Sequence, residues 1–565
     1  VATELLLQEH TQVATRNAAG YPAILVREVL SLPHLAEVAL AGLWRHMRQE
    51  LEETKILINK KMRNMRDEQE RFRAYVHAIL QQHVPQMGDD EMDLSWEKFA
   101  REGARSQRWY EYLRTLVDQQ VEMKDFVVGC FIKDEDYESP DKAPRSIMAL
   151  PDNMKAMLGG LFRCADQHLF RTDFGHWFSV KHIPVAARAA HVRERMGESR
   201  TATGDFSSFE KHHIGVFADV VAETYLHLFG KRLRNRDRKF VDELLRGTNS
   251  LRFRNGIRAE MQHTLMSGAP WTASGNFLLN TYLLTFIVLR ERHPTENMQQ
   301  LAARVFEVNG LFEGDDSIVA HEKFDQELIG RLGLRLKTKE CENYSKASFC
   351  GIVSPPEHDD NLTDPIKFLR RVFTLPQQAM DSGTKRQNCL LRAKALSYLH
   401  QYPACPVVSK VCHAILKKTR SYTADPKYLN YRRRESYDEY CQTAAKLWKT
   451  ERVIPLCSRM QVEELFDLTC EEQICLERQF QDWGDGKVDD IVYPQPFDKL
   501  LENAARTIVS KPTVEDYAPR INEDKWQNQI PRGLWVHAHT GYILAEIPPS
   551  TRPQTTTNLL EHAEV

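Results

Sequence analysis

The amino-acid sequence predicts an α+β chain, and three observations carry that reading. Two short strand candidates, "FVVGCFIK" and "RSIM", bracket a turn-rich loop over residues 126 to 148. From Arg200 to Lys339, strand, long helix, basic segment, long helix, hairpin and helix follow one another. After Pro355 the pattern is mostly helical. At 565 residues the chain is too long for one ordinary core; length alone suggests about three or four domain-sized units.

Composition narrows the class. The chain is 42% hydrophobic and 27% charged, as folded proteins are. A net charge of −2 excludes bulk attraction to nucleic acid, so such binding has to come from local basic patches. Eleven scattered cysteines without a CxxC pair fit a reducing compartment. The longest apolar stretch, Phe277 to Leu289, is interrupted by Asn280, Thr281 and Thr285 and predicts a buried helix rather than a membrane span. No transmembrane segment or signal peptide is expected. The chain begins at Val1 and not at Met, the pattern of a fragment or a processed product.

Taken in order, residues 24 to 83 read as helices, with Leu51, Ile56, Ile58, Met62, Met65 and Phe72 as a broken apolar stripe on a strongly charged amphipathic helix with one solvated face, a reading favoured over an RNA-binding arm. Helical pattern returns from Asn153 to Leu169. Thr201 to Phe206 reads as a strand, with Ser207 and Ser208 opening a helix, so Asp205 sits where a strand gives way to a helix. Ser267-Gly268 reads as a loop before a long helix that carries Thr272, Gly275 and Asn276 at helical spacing. Around Gly314-Asp315-Asp316 a strand–turn–strand hairpin is expected, with Asn309-Gly310 as a rival turn. Lys337 and Lys339 fall on a further strand, and "SFCGIV" (Ser348 to Val353) reads as a second hairpin.

The chemistry lies in the acids. If the hairpin lies beside the first strand, Asp205 and Asp315 converge across 110 residues of chain. Two such carboxylates can hold two Mg²⁺ ions, which prefer oxygen ligands. Paired metals about 4 Å apart clamp the attacking and leaving oxygens of a phosphoryl displacement. A lysine such as Lys337 or Lys339 could protonate a leaving pyrophosphate. Asp316 either binds metal directly or shapes the turn and the local field.

These segments resemble the ordered motifs of viral RNA-dependent RNA polymerases, specifically those of positive-strand RNA viruses of the tombusvirus-like and flavivirus-like group. Asp205 with Glu210, then Ser267, Gly268, Thr272, Gly275 and Asn276, then Gly314, Asp315 and Asp316, then a lysine, then "FCG" at Phe349 to Gly351 match in order. Upstream, Lys133 and Arg145 match the basic positions lining the nucleotide entry. The likeness covers about residues 126 to 353.

The resemblance implies a right-hand polymerase. Residues 1–115 would be a helical N-terminal extension packing on fingers and thumb, and 116–200 fingers. Palm would span 201–353, an antiparallel sheet with helices on one face and a fingers insertion at about 231–265. Thumb would span 354–545, with 546–565 a disordered tail. It further implies two Mg²⁺ ions, with Mn²⁺ as the alternative, held by Asp205, Asp315 and Asp316. Template and product RNA, nucleoside triphosphates and other viral replication proteins are the implied partners. The host cytoplasm, at membrane-associated replication sites, is the implied location. In the family the second acid of the first motif is usually Asp, where this chain has Glu210. That acid would read the ribose 2′-hydroxyl with Ser267 and Asn276, yet Ser207-x-x-Glu210 is also a capping-box pattern, and both roles stay open.

Two alternatives stand beside this reading. A reverse transcriptase shares the palm but usually carries an aromatic residue where this chain has Gly314. A non-catalytic RNA-binding replication scaffold would have lost an acid, and none is missing. The basic run Gly230 to Phe240, with Arg252, Arg254 and Arg258, reads either as solvated surface or as template contact. His212, His213, His537 and His539 lack metal-site partners at zinc spacing, Phe312 reads as core, the cysteines from Cys389 to Cys475 as buried thiols, and Trp483 to Gly486 as a turn.

Overall fold

The computed structural model describes residues 15–17, 61–88, 127–132, 146–206, 209–233, 235–253, 258–262, 265–376, 383–424, 451–494 and 544–546. Along the chain the principal helices are α1 (Lys61–His83), α2 (Asp152–Leu169), α3 (Asp173–Phe178), α4 (Arg188–Met196), α5 (Val216–Phe229), α6 (Asn235–Arg246) and α7 (Thr272–Arg292). They continue with α8 (Met298–Ala303), α9 (Gln326–Arg331), α10 (Pro365–Val372), α11 (Thr384–Gln401), α12 (Val408–Lys418), α13 (Leu456–Phe466) and α14 (Cys470–Asp485). The strands are β1 (Val127–Ile132), β2 (Ser146–Ala149), β3 (Thr201–Phe206), β4 (Thr248–Phe253), β5 (Arg258–Gln262), β6 (Gly310–Glu313), β7 (Asp316–Val319), β8 (Leu336–Cys341), β9 (Ser348–Phe349), β10 (Ile352–Val353) and β11 (Leu544–Glu546). The chain is α+β, as the sequence predicts.

Helix α7 organises the core. Every residue from Ser274 to Leu289 is buried, so the helix is enclosed on all sides. It is long and apolar enough to cross a membrane, yet 89% of its apolar window is buried inside the protein, the state of a core helix. Its polar residues are spent internally. Tyr225 on α5 meets the Ser274 hydroxyl at 2.7 Å and donates to Asp166 on α2 at 3.2 Å. Tyr282 meets Thr224 at 3.2 Å, and Tyr75 on α1 donates to Thr285 at 3.0 Å. Helix α1 therefore contributes Phe72, Tyr75, Val76 and Ile79 to the main core rather than lying free as a charged arm.

Two sheets flank this core. In one the strand order is β6–β7–β3–β8, all antiparallel. Ala202, Phe206, Phe312, Val319 and Leu336 face α7 and the main cluster. The other face buries Leu311 and Ile318 against Val180 and the α4 residues Val192 and Met196. The second sheet runs β11–β5–β4–β1–β2, with β1 parallel to β4 and the other pairings antiparallel.

A separate apolar cluster forms where α10, α11, α12 and α14 pack, around Phe368, Leu391, Val411, Phe480 and Trp483. Asn361 joins it to the sheet layer. Its Oδ1 accepts from the Ala189 N–H on α4 at 3.0 Å, and its amide donates to the Val185 and Gln401 carbonyls at 2.7 and 3.0 Å.

Several expectations are corrected. The α-helix after Asp205 starts at Val216 behind Gly215 (φ 52°), not at Ser207 and Ser208; a 3-10 turn, Phe209–His212, fills the gap. Trp483 to Asp485 is the last turn of α14, with Gly486 as a left-handed cap, and not a free turn. Cys475 is exposed, unlike the buried Cys405 and Cys412. Residues 24–60, His537, His539, Arg254 and the 547–565 tail lie outside the described residues.

Burial raises the Asp166 carboxyl to about 6, with Ser274, Lys181 and Tyr225 opposing the rise. A raised carboxylate contributes stability that is complete below its ordinary value and lost as pH climbs through the folded value. The chain should therefore lose stability between about pH 4 and 6, and Asp166→Asn should remove that slope. Melting temperatures of both proteins across this window check it; parallel curves would refute the assignment.

Candidate active site

Strand pairing assembles the site. In the β3–β8 ladder Asp205 lies directly opposite Lys337, and Thr203 opposite Lys339. In the β3–β7 ladder Gly204 lies opposite Ser317, so one step further sets Asp205 opposite Asp316. Glu313 pairs with Asp316 across the hairpin. Directly opposed residues share a face, so Asp205, Asp316, Glu313, Lys337 and Lys339 project from the side of the sheet away from α7. The five residues, from the β6–β7 hairpin, the inner strand β3 and the edge strand β8, thus converge.

The turn between β6 and β7 is Gly314-Asp315. Gly314 has φ 63° while Asp315 is not left-handed, the pattern of a two-residue hairpin with glycine first. Asn309-Gly310 is not the turn: Gly310 begins β6. Gly204 admits the close approach behind this hairpin, since a Cβ there would meet the Ser317 hydroxyl at 3.0 Å and Leu336 at 3.1 Å.

Like charges crowd the tip. Asp205, Asp315 and Asp316 are exposed residues, but the surrounding protein desolvates the Asp316 carboxyl, and the Asp315 and Asp205 charges add to this, so its pKa is raised. Glu313 is drawn off by Arg188 on α4, at 3.3 Å. Among the described residues no three His, Cys, Asp or Glu side chains are already gathered as a metal cage. The donor set nonetheless fits a hard divalent cation: oxygen-only ligands on two adjacent strands, with an excess of negative charge and one carboxyl held unfavourably.

Residues of the α7 motif divide by role. The Ser267 hydroxyl accepts from the Met148 N–H at 3.1 Å, and the Gly268 N–H donates to the Met148 carbonyl at 3.0 Å. A Cβ at Gly268 would lie 2.6 Å from that carbonyl oxygen, so only glycine fits. These two residues stitch α7 to β2, three residues beyond Arg145. The Thr272 hydroxyl donates to the Met266 and Ala269 carbonyls at 2.5 and 2.9 Å, closing the loop ahead of the helix. Asn276 is different. It is buried, its Oδ1 lies toward the His213 ring without a well-formed hydrogen bond, and a Cβ at Gly314 would come within 4.0 Å of its own. Beside it His213 is pushed down to about 3 by burial and by His212, with Asn276 opposing, so it is a neutral buried ring.

Lys133 and Arg145 lie outside the described residues, as does the side chain of Glu210. The backbone of Glu210 belongs to the 3-10 turn and not to an α-helical N-terminus, which takes the expected α-helix from the capping-box reading. Of the basic candidates, Arg252 is exposed, and Arg238 instead donates to the Leu226 and Gly230 carbonyls at the end of α5.

Three participants were not marked as site residues by the sequence. Asn280 aims its amide at the carbonyl oxygens of Gly314 (3.1 Å), Asp315 (2.9 Å) and Asp316 (3.4 Å). Its spacing of four from Asn276 was the available signal. Arg188 carried none. Cys350 turns the hairpin of β9 and β10 with φ 54°, beside Gly351 at 76°, and its thiol stands close to the Asp316 carboxylate.

No family model matches the chain. It is 22% identical over 318 residues to an RNA-directed RNA polymerase of Pariacoto virus, a match that takes in 54% of this chain and 30% of that protein. The chain therefore spans less than a third of the length of that relative. Among solved structures, it is similar to the insertion-loop deletion mutant of the RNA-dependent RNA polymerase of a human picorbirnavirus. The TM-score is 0.45 at 11% identity, covering 78% of this chain and 95% of that one.

Because the clustered acids repel, Asp316→Asn should raise the melting temperature of the metal-free protein at pH 7. A raised carboxylate pKa means the penalty is absent at low pH and grows as pH rises. The gain should fade below about pH 4 and in high salt. Calorimetry at two ionic strengths checks this, and a loss of stability at pH 7 would count against the crowding.

Proposed function

We propose that this chain is an RNA-directed RNA polymerase of a positive-strand RNA virus, with affinity to the tombusvirus-like and flavivirus-like group. The observation that carries the reading is the pairing of β3 between β7 and β8, which brings Asp205, the Gly314-Asp315-Asp316 turn and Lys337 to one face. The 22% identity to a viral RNA-directed RNA polymerase supports it.

On this reading the β6–β7–β3–β8 sheet with α5 and α7 is the palm, the β11–β5–β4–β1–β2 sheet belongs to the fingers, and the α10–α14 helices to the thumb. Asp205 and Asp315, with Asp316, would hold two Mg²⁺ ions, which when bound supply charge neutralisation and an activated 3′-hydroxyl. The chain's own groups do the rest. Asn276 presents a buried amide oxygen beside the turn and the His213 ring, suited to accept from a ribose 2′-hydroxyl. A site built around such a bond rejects a sugar lacking it. Lys337, directly opposite Asp205, is better set than Lys339 to give a proton to departing pyrophosphate. Ser267 and Gly268 fix the start of α7 against β2, which follows the Lys133–Arg145 entry segment. Catalysis is then chiefly positioning and charge stabilisation.

Primer extension on an RNA template with Mg²⁺ and four ribonucleotides tests the proposal. Asp205→Ala and Asp315→Ala should each reduce synthesis on the order of 10³-fold or more, while RNA binding by filter retention stays largely intact. Deoxyribonucleotides should be used roughly 10²-fold less well, and Asn276→Ala should narrow that gap. A clear deoxyribonucleotide preference, or wild-type protein that extends nothing while still binding RNA, would sink it.

A further inference from the structure

Asn280 lies in the middle of α7, has no exposed surface, and touches neither the acid-bearing face of the sheet nor solvent. Its amide nitrogen nevertheless stands within hydrogen-bond range of three consecutive carbonyl oxygens, those of Gly314, Asp315 and Asp316. An amide NH₂ has two hydrogens. Three carbonyls converging on it mean that the turn is drawn toward the helix by its backbone. The left-handed Gly314 permits that inward rotation.

The other end of the side chain is unsatisfied. Asn280 Oδ1 is buried and accepts no hydrogen bond. An apolar side chain of similar branching could fill this place in an apolar helix, so packing alone gives no reason for an amide. Only the donor end has partners, and all of them belong to the turn that carries the acids.

We propose that Asn280 is the positioning residue of the metal-binding turn: by holding the 314–316 carbonyls inward it fixes where the Asp315 and Asp316 carboxylates stand relative to Asp205. This rests on the polymerase reading of the site and deepens it. Asn276, one helical turn earlier on the same face, lies beside Gly314. The sugar-reading residue and the residue that sets the metal ligands are thus fixed to each other by a single turn of α7.

The test uses the full chain with Asn280→Leu, which removes the donor while keeping the branched shape, and Asn280→Asp, which keeps the size and turns the donor into an acceptor facing three carbonyls. Mn²⁺ binding is measured without nucleotide, by the electron paramagnetic resonance signal of free Mn²⁺. Both variants should bind roughly tenfold more weakly, Asn280→Asp the more so. In primer extension the Mg²⁺ concentration for half-maximal rate should rise by a similar factor. KM for nucleotide at saturating Mg²⁺ should stay within about twofold, because uniform substrate binding is not removed. A residue that served only packing would lower the melting temperature without moving the metal dependence. Should the leucine variant fail to fold, the aspartate variant carries the comparison. Variants that fold and bind Mn²⁺ as the wild type does overturn the proposal. If the wild type binds no Mn²⁺, or Asp315→Ala binds it equally well, the reading of the site itself has failed and takes this proposal with it. Normal metal binding by the wild type and its loss in Asp315→Ala, with no change at Asn280, isolates failure to Asn280 alone.

Discussion

The register of β3 between β7 and β8 is the constraint on which the site depends. A strand has a side-chain period of two, so a slip of one residue would turn every side chain of β3 to the opposite face. Phe206 and Ala202 would leave the main core, and Asp205 would be driven against α7. The apolar residues behind the sheet therefore fix the polar ones in front. Gly204 is the point of closest approach in this arrangement, packed on Ser317, Leu336 and Leu284. The acids are held by the core without belonging to it.

That arrangement concentrates negative charge where the free protein has little to gain from it. Asp316 is raised by desolvation and by its two acidic neighbours, and Arg188 offsets only Glu313. A folded protein tolerates such a cluster because stability is supplied elsewhere, by the enclosed α7 and its aromatic surroundings. The paired Tyr225–Ser274 and Tyr75–Thr285 hydroxyl contacts show the same division of labour. The polar groups of the helix interior are matched within the core, except at Asn276 and Asn280, whose buried amide oxygens have no well-formed hydrogen bond.

Much of this was legible in the chain. β3 from Thr201 to Phe206, the hairpin at Gly314, Lys337 and Lys339 on one strand, the "SFCGIV" hairpin and a buried helix around Phe277 all follow from alternation, glycine placement and apolar run length. Long, strongly patterned elements announce themselves, because their periodicity is a direct image of burial. What failed was local. Ser207 and Ser208 looked like a helix start, but the Phe206, Phe209 and His213 rings pack together before α5 begins, and tertiary contact overrode the capping signal. The backbone partners of the Thr272 and Ser267 hydroxyls are likewise invisible in sequence. Arg188 and Asn280 were passed over for the same reason. Their importance lies in contacts across 125 and 35 residues of chain, which no window of sequence displays.

The Asn361 junction limits how the molecule can deform. Its side chain holds Val185 and Ala189 at the head of α4 and Gln401 at the end of α11. Arg188, between those two residues, grips Glu313 on the strand leading into the acidic turn. The C-terminal helices and the acid-bearing hairpin are thus connected in series, from Gln401 through Asn361 and the head of α4 to Arg188 and Glu313. Gln461 on α13 adds a second tie by donating to the Ser345 carbonyl, and Lys346 pairs with Glu464, so a displacement of those helices would be passed on to the β6–β7 turn rather than absorbed at a loose boundary.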